Sequence, residues 1–416
     1  MSSRTQARRR IKADILVVGI DVAKRTHVAA IRKPDGTKEK PFPFGNDRSG
    51  FERLRARSER TRERLGLNGV VFALEATGHY GHALRQYLGL QGYAVLGINP
   101  AHTKKAKEFE DNSPEKSDQK DARLISDLAA EGRGRLVRPV KGVFAELRRL
   151  GKLRERYVVE RVRLSNRYSC LVDLVFPELV QEVRKLTIRS IRRLLAEYPT
   201  AREIAGLEFE ELEDRLSRWS RRRLRPDKIA RIHRLARESI GIVEGLETAR
   251  MEMRQLLESL ELVEQRLQEV EAAQHAALEK VPYAELLLTV PQLGSVTVAT
   301  ILGETGDLRN YKNAEMVIKM AGYNLYTISS GMFRGKTRIT KRGRPMLRRY
   351  LFLAACRLSK KGAPLREFHE RLTARKAKPQ VLVGSCRKLL RLLVAMVRDG
   401  KPYEPGRLAV PFGEAA

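Results

Sequence analysis

Cysteine is scarce in this chain: three in 416 residues, at positions 170, 356 and 386. They are odd in number and far apart, and they form no CxxC. That excludes a disulfide framework and the usual structural zinc site. Aromatic residues are only 6%, with a single tryptophan. No apolar run approaches the ~18 residues of a membrane span. The segment Arg4–Lys12 is basic, but the apolar run after it is short and carries Asp21, which argues against a signal peptide. Acids are also in deficit, with Asp+Glu 50 against Lys+Arg 82 and a formal net charge of +32. Such an imbalance points to a polyanionic partner, because every neutralised phosphate releases counterions. Nucleic acid is the first choice and an anionic membrane surface the second. The expected setting is a reducing cytoplasm.

The length suffices for two or three domains with their own cores. Residues 15–23, ILVVGIDVA, read as a buried strand interrupted only by Gly19 and Asp21. His27–Arg32 reads as a second strand, followed by the turn Lys33-Pro-Asp-Gly36. A charged helix is expected over 46–65, a strand over 69–74, a helix over 78–90, and a strand over 93–98 stopped by Pro100. Residues 104–116 look like an aperiodic loop, 117–130 a helix, and 132–142 a basic linker. Strands alternating with helices mean an α/β sheet domain.

Everything from 143 to 280 reads as helix. Leu246, Met253, Leu260 and Leu267 recur every seven residues, and Ala249, Leu256, Val263 and Val270 follow three further on. All eight a and d positions are therefore apolar. This predicts a coiled coil or long helical hairpin, with an oligomerising seam favoured over an internal bundle. Between Arg148 and Arg167 stand eight bases and two acids, which suits a helix facing nucleic acid. Residues 290–301, VPQLGSVTVATI, have the pattern of a helix–hairpin–helix, which offers backbone N–H groups to a phosphate. A polar, glycine-punctuated stretch runs from 322 to 343, then helices from 345 to 398 and a loose tail. Domain bounds are expected at 1–13 (basic tail), 14–140, 141–280, 281–399 and 400–416 (tail).

Four carboxylates carry the chemistry. Asp21 sits inside an apolar strand, where an unpaired charge costs several kcal/mol. Glu75 ends another strand of the same sheet, and Asp118 and Asp121 lie three apart on one face at a helix start. Oxygen-only ligands suit Mg²⁺ or Mn²⁺. Two such ions about 3.5–4 Å apart can clamp both oxygens of an in-line phosphoryl displacement. Asp127 lies away from this pair. Thr77, His79 and Tyr80, which follow Glu75, are candidates for supporting roles, whereas Trp219 and the remaining histidines carry no functional signal.

Asp21 in GIDVAK, Glu75 in EATGHY, and Asp118 with Asp121 in KSDQKDA resemble the DEDD set of the transposases of insertion-sequence family 110. The segments VPQLGSVTVATILGETGD, AGYN, SSG and RITKRG resemble that family's second catalytic region. Together the likeness covers roughly 15–135 and 285–360. It implies a RuvC-like, RNase H-type α/β domain, a helical connector, and a mainly α C-terminal domain carrying a serine nucleophile. Ser330, before Gly331, matches the family's Ser-Gly, with Ser329 the neighbouring alternative. No His/Asp partner is recognisable nearby, so a triad is not expected.

Beyond the serine, Lys336, Arg338, Lys341, Arg342, Arg344, Arg348 and Arg349 are seven bases without an acid, expected to grip phosphates. The family further implies a Mg²⁺-dependent recombinase acting on donor and target DNA in a bacterial cytoplasm. A structured guide (bridge) RNA and dimers that assemble into tetramers are implied as well. Alternatives within reach of the same residues are a DNA invertase of this architecture and a junction-resolving or RNase H-type nuclease using water. A non-catalytic DNA-binding protein would need none of the five site residues.

Overall fold

The computed structural model describes residues 11–75, 78–110, 117–137, 140–330, 333–335 and 337–405. The chain divides between Val140 and Lys141 into two compact units.

In the first unit β1 (Ile15–Asp21) alternates its side chains between two apolar layers. Leu16, Val18 and Ile20 join a core with Phe44, Phe51, Leu54, Phe72, Leu84 and Leu88. Val17 points the other way, toward Ala73, Ile98, Leu124, Ile125 and Leu128. Burial on both faces is why the strand reads as an unbroken apolar run. Its partners are β2 (Thr26–Arg32), β3 (Phe42–Gly45), β4 (Gly69–Glu75), β5 (Ala94–Ile98) and β6 (Arg135–Leu136), in the order β3-β2-β1-β4-β5-β6. β1 is antiparallel to β2 and parallel to β4, β4 is parallel to β5, and β6 closes the edge antiparallel. This mixed sheet is compatible with an RNase H-like domain.

Helices α1 (Arg48–Arg64) and α2 (His82–Leu90) cover one face. α3 (Pro100–Glu110) precedes α4 (Asp118–Ala130), which covers the other. Several sequence expectations move. Residues 104–110 belong to a helix rather than a loop, since Pro100 stands at a first helical turn, where its missing N–H costs nothing. The Asn99 side chain accepts from the Ala101 N–H at 3.0 Å and caps that helix. The helix expected from 78 begins at His82, after Gly78 takes φ +62°. The short strand β3 lies in a stretch given no element from sequence, and β6 in the expected basic linker, because four and two residues carry no visible alternation.

The second unit is built on two antiparallel 34-residue helices, α5 (Gly142–Val175) and α11 (Leu246–Glu279). Arg154 near the start of α5 pairs with Glu271 near the end of α11 at 2.6 Å. Between them the chain makes α6 (Leu179–Glu182), α7 (Arg189–Glu197), α8 (Ala201–Ala205), α9 (Phe209–Ser220) and α10 (Pro226–Arg237). These short helices share a core with the end of α5 and the start of α11. Seven of the eight heptad residues, all but Leu246, are buried within the single chain. The seam marked by the period is thus closed by the chain itself, and the expected oligomerising surface is an internal one.

At the opposite ends of α5 and α11 lie α12 (Ala284–Leu288), α13 (Ser295–Thr305), α14 (Ala314–Ala321), α15 (Pro345–Leu358), α16 (Arg366–Thr373) and α17 (Lys378–Asp399). In the segment 290–301 read as a helix–hairpin–helix, a turn with Gln292 at φ +65° leads into α13, and α12 ends just before it. Two short ladders join α14 to α15: β7 (Leu325–Tyr326) with β10 (Arg338–Ile339), and β8 (Ser329–Ser330) with β9 (Phe333–Arg334). Among the described residues no helix is long and apolar enough to cross a membrane. The calls on the 1–10 tail, Thr77, Gly331, Lys336 and the tail beyond 405 fall outside the described residues.

Candidate active site

Asp21 and Glu75 end adjacent parallel strands. The ladder pairs Ile20 with Leu74, so the next residue of each strand is a carboxylate. α4 brings the other two: Ser117 holds the N-cap position with extended backbone, and Asp118 and Asp121 stand in the first turn. Carboxylates are favourable there because the helix N-terminus carries partial positive charge.

The helix can lie against β1 only because residue 19 is glycine. A Cβ at Gly19 would lie 2.8 Å from the Ser126 Cβ and overlap the Ala122 carbonyl oxygen and the Ser126 nitrogen. That close approach fixes where the first turn of α4 meets the end of β1. Farther along α4, Asp127 pairs with Arg32 at 3.0 Å and with Lys38. Its role is to tie α4 to the antiparallel edge, consistent with its lying apart from Asp118 and Asp121.

Asp21, Glu75, Asp118 and Asp121 line one cavity of about 350 Å³, together with Val22, Ala23 and Lys107. Burial pushes the Asp21 carboxyl up to about 6, and repulsion from Asp121, Asp118 and Glu75 adds to it, while Lys107 works the other way. Lys107, on α3, places its Nζ 2.5 Å from Asp121. The sequence reading missed this lysine, because it assigned its helix to a loop. It also gave no weight to His27, which is fully buried. Burial lowers the His27 pKa and keeps the ring neutral. Its Nδ1 accepts the Ala23 N–H at 3.0 Å, which fastens the turn directly after Asp21. His79 and Tyr80 are exposed, with ring centroids 4.2 Å apart, and they do not line the cavity.

Four carboxylates in one cavity leave an excess of negative charge that one lysine does not balance. The donors are oxygens throughout, which fits Mg²⁺ or Mn²⁺. Among the described residues no three His, Cys, Asp or Glu side chains form a ready-made cage. Lys107 holds one of the two Asp121 oxygens and would compete with a cation for it.

In the second unit Ser329 and Ser330 are exposed on β8, with Ser330 opposite Phe333. The basic run divides by environment. Arg338, Lys341 and Arg342 are exposed. Arg348 is spent internally: its Nη1 donates to the Ala321 and Lys341 carbonyls at 3.0 and 3.1 Å. Gly322, at φ +75°, leaves room for that guanidinium, since a Cβ would lie 2.8 Å from it. Arg349 pairs with Glu155. Arg344 and Arg148 stand 3.9 and 3.7 Å from the buried Glu304, too far for hydrogen bonds.

Comparison with known proteins follows the same two regions. The model of the DEDD transposases of IS110, described as a transposase, matches residues 18–177. The model of the transposase IS116/IS110/IS902 family matches residues 284–370. The 43.6 kDa protein of insertion element IS110 of Streptomyces coelicolor is 27% identical over 404 residues, covering 93% of this chain and 95% of the relative. The 44.8 kDa protein of insertion element IS116 of Streptomyces clavuligerus is 26% identical over 400 residues, covering 94% and 97%. A pilin gene-inverting protein of Moraxella bovis is 29% identical over 124 residues, 29% of this chain and 38% of that protein. Two family regions matched in chain order, with relatives aligned almost end to end, place this chain in the IS110 family of transposases, enzymes that process DNA.

Proposed function

We propose that the chain is the recombinase of its insertion element, cutting and rejoining DNA through a DEDD site and a serine nucleophile. The observation that carries this reading is the convergence of Asp21, Glu75, Asp118 and Asp121 on one cavity from two strands and a helix. These four residues would hold Mg²⁺ or Mn²⁺, which when bound polarises phosphate oxygens and offsets charge developing in phosphoryl transfer. Asp21, raised by burial and by its acidic neighbours, would be relieved by a cation, and Lys107 offsets part of that repulsion.

Ser330 Oγ attacks the scissile phosphorus. The bond from phosphorus to the leaving sugar oxygen breaks, and that oxygen takes up the serine proton. The strand is left joined to the protein until a sugar hydroxyl of the partner strand reverses the exchange. Arg338, Lys341 and Arg342, exposed on and beside the β7–β10 ladder, supply phosphate contacts in the segment that carries the serine. The open start of α13, which has no side-chain cap, suits a phosphate as the hairpin pattern anticipates. The family's guide RNA, a dimer and its tetramer belong to the same reading, as does a role in DNA on both sides of the exchange.

A second reading, DNA inversion with the same chemistry, is favoured by the match to the Moraxella pilin gene-inverting protein. Denaturing electrophoresis of the chain with labelled DNA carrying a trapped nick tests the nucleophile. The expected result is a covalent adduct mapping to Ser330, lost in Ser330→Ala while DNA binding persists, with Ser329→Ala milder. Cleavage without an adduct assigns a water-using nuclease instead, and an adduct at Ser329 moves the nucleophile by one residue.

A further inference from the structure

The connector helices carry a site that the cleavage chemistry does not use. α7 and α9 lie side by side and enclose an open cavity of about 480 Å³. Among the described residues, five arginines line it, at 189, 193, 215, 218 and 221, with Glu197 the one acid and Trp219 the one aromatic ring. On α7 the spacing 189, 193, 197 puts three lining residues on the face opposite Ile191, Leu194 and Leu195, which are buried in the helical core. On α9 the lining residues 215, 218 and 219 fall at helical spacing, while Leu212 and Leu216 are buried.

The charge is not neutralised locally. Glu197 serves both Arg215, at 2.8 Å, and Arg193, at 3.4 Å. Glu211 takes Arg215 at 2.9 Å and Asp214 takes Arg218 at 2.5 Å. Neither Arg189 nor Arg221 has a carboxylate partner among the described residues. Arg221 and Arg222 stand at φ 55° and 58°, a backbone conformation in which glycine is the usual helix-ending residue. At Arg221 a lining guanidinium stands where glycine would relieve the backbone.

Trp219 makes the cavity more than an anion trap. Arg193 lies over the indole, 5.0 Å from its centroid. Trp219 also packs against the helical core, so a nucleobase reaches the indole by taking the place of the Arg193 guanidinium, with the unpaired Arg189 and Arg221 left to take the flanking phosphates.

We propose that this cavity binds an unpaired nucleotide, its base stacked on Trp219 and its phosphates held by Arg189 and Arg221. Duplex DNA does not fit this role, because its bases are stacked on one another and present edges rather than faces. RNA and single-stranded DNA share the chemistry.

Trp219 is the only tryptophan of the chain, so its emission reports on this cavity in the unmodified protein. The full chain is titrated with labelled rU and dT oligonucleotides, an abasic oligonucleotide of equal charge, and a duplex. Anisotropy follows total binding, and tryptophan emission follows the cavity. The expected result is quenching by rU or dT oligonucleotides and none by the abasic strand or the duplex. Stronger quenching by one of the two assigns RNA or DNA as the source. Trp219→Leu is expected to weaken oligonucleotide binding about 10-fold. The exposed double variant R189Q/R221Q keeps the indole and its packing, and should lower the salt slope by about 1.4 for two lost phosphate contacts. Unchanged emission at saturating anisotropy overturns the proposal, as does equal quenching by the abasic strand, which would make the cavity an anion site without base recognition. The titration is repeated with Asp21→Asn, which lacks a DEDD ligand. Nucleotide capture is expected to survive there, so its failure and failure of the cleavage reading are separable.

Discussion

Replacing Gly19 by alanine probes the joint on which the carboxylate site depends. The added Cβ would lie 2.8 Å from the Ser126 Cβ, and closer to the Ala122 oxygen and Ser126 nitrogen. Carbon–carbon contacts settle at about 3.5–4.0 Å, so α4 must retreat by about 1 Å. Two of the three obstructing atoms are backbone, so no rotamer change relieves the overlap. Overpacking of this kind costs about 1–3 kcal/mol, and the N-terminal unit should melt at lower temperature by that measure. The functional loss should be larger. Asp118 and Asp121 ride on the first turn of the displaced helix, whereas Asp21 and Glu75 stay with the sheet. A misplacement of about 1 Å in a phosphoryl-transfer site costs on the order of 100-fold in rate. Strand exchange between plasmids bearing the element ends, measured on folded protein well below its melting point, is the assay. A variant that melts early yet recombines at the parental rate would show that α4 does not set the carboxylate geometry.

Asp21→Asn should abolish recombination and, without divalent cations, stabilise the N-terminal unit by about 2 kcal/mol at pH 7. The folded carboxyl titrates near 6 rather than 3.8, so the folded state holds its proton more tightly than the unfolded chain. Stability thus falls as pH rises from about 4 to 6 in the parent, and chemical denaturation should find that fall flattened in the variant. Lys107→Met removes the cation competing for Asp121, and calorimetry should find Mn²⁺ binding tighter by several-fold; weaker binding would mean that the lysine supports the metal form. Met253→Lys with Leu260→Lys places charges where the single chain buries methionine and leucine. The expected outcome is loss of helicity in the second unit by circular dichroism, and intact helicity with a smaller mass by light scattering would return the seam to an intermolecular role.

Composition and short-range pattern pointed to a polyanionic partner and to most of the elements. A net charge of +32 favours such a partner whatever the fold. The apolar run 15–20 had to be a covered central strand, because only burial on both faces tolerates it. Asp21 was conspicuous as the one acid in that run. What the sequence could not supply were facts of distance. The three-residue spacing of Asp118 and Asp121 gave a shared face but not its target, which the Gly19 contact with α4 decides. Heptads gave a seam but not its occupant, since a seven-residue period is the same whether the facing helix is α5 or a second copy. Lys107 and Trp219 were silent for a common reason. One charge on a helix mistaken for a loop, and one aromatic among scattered arginines, acquire chemistry only when residues far apart in the chain are packed side by side.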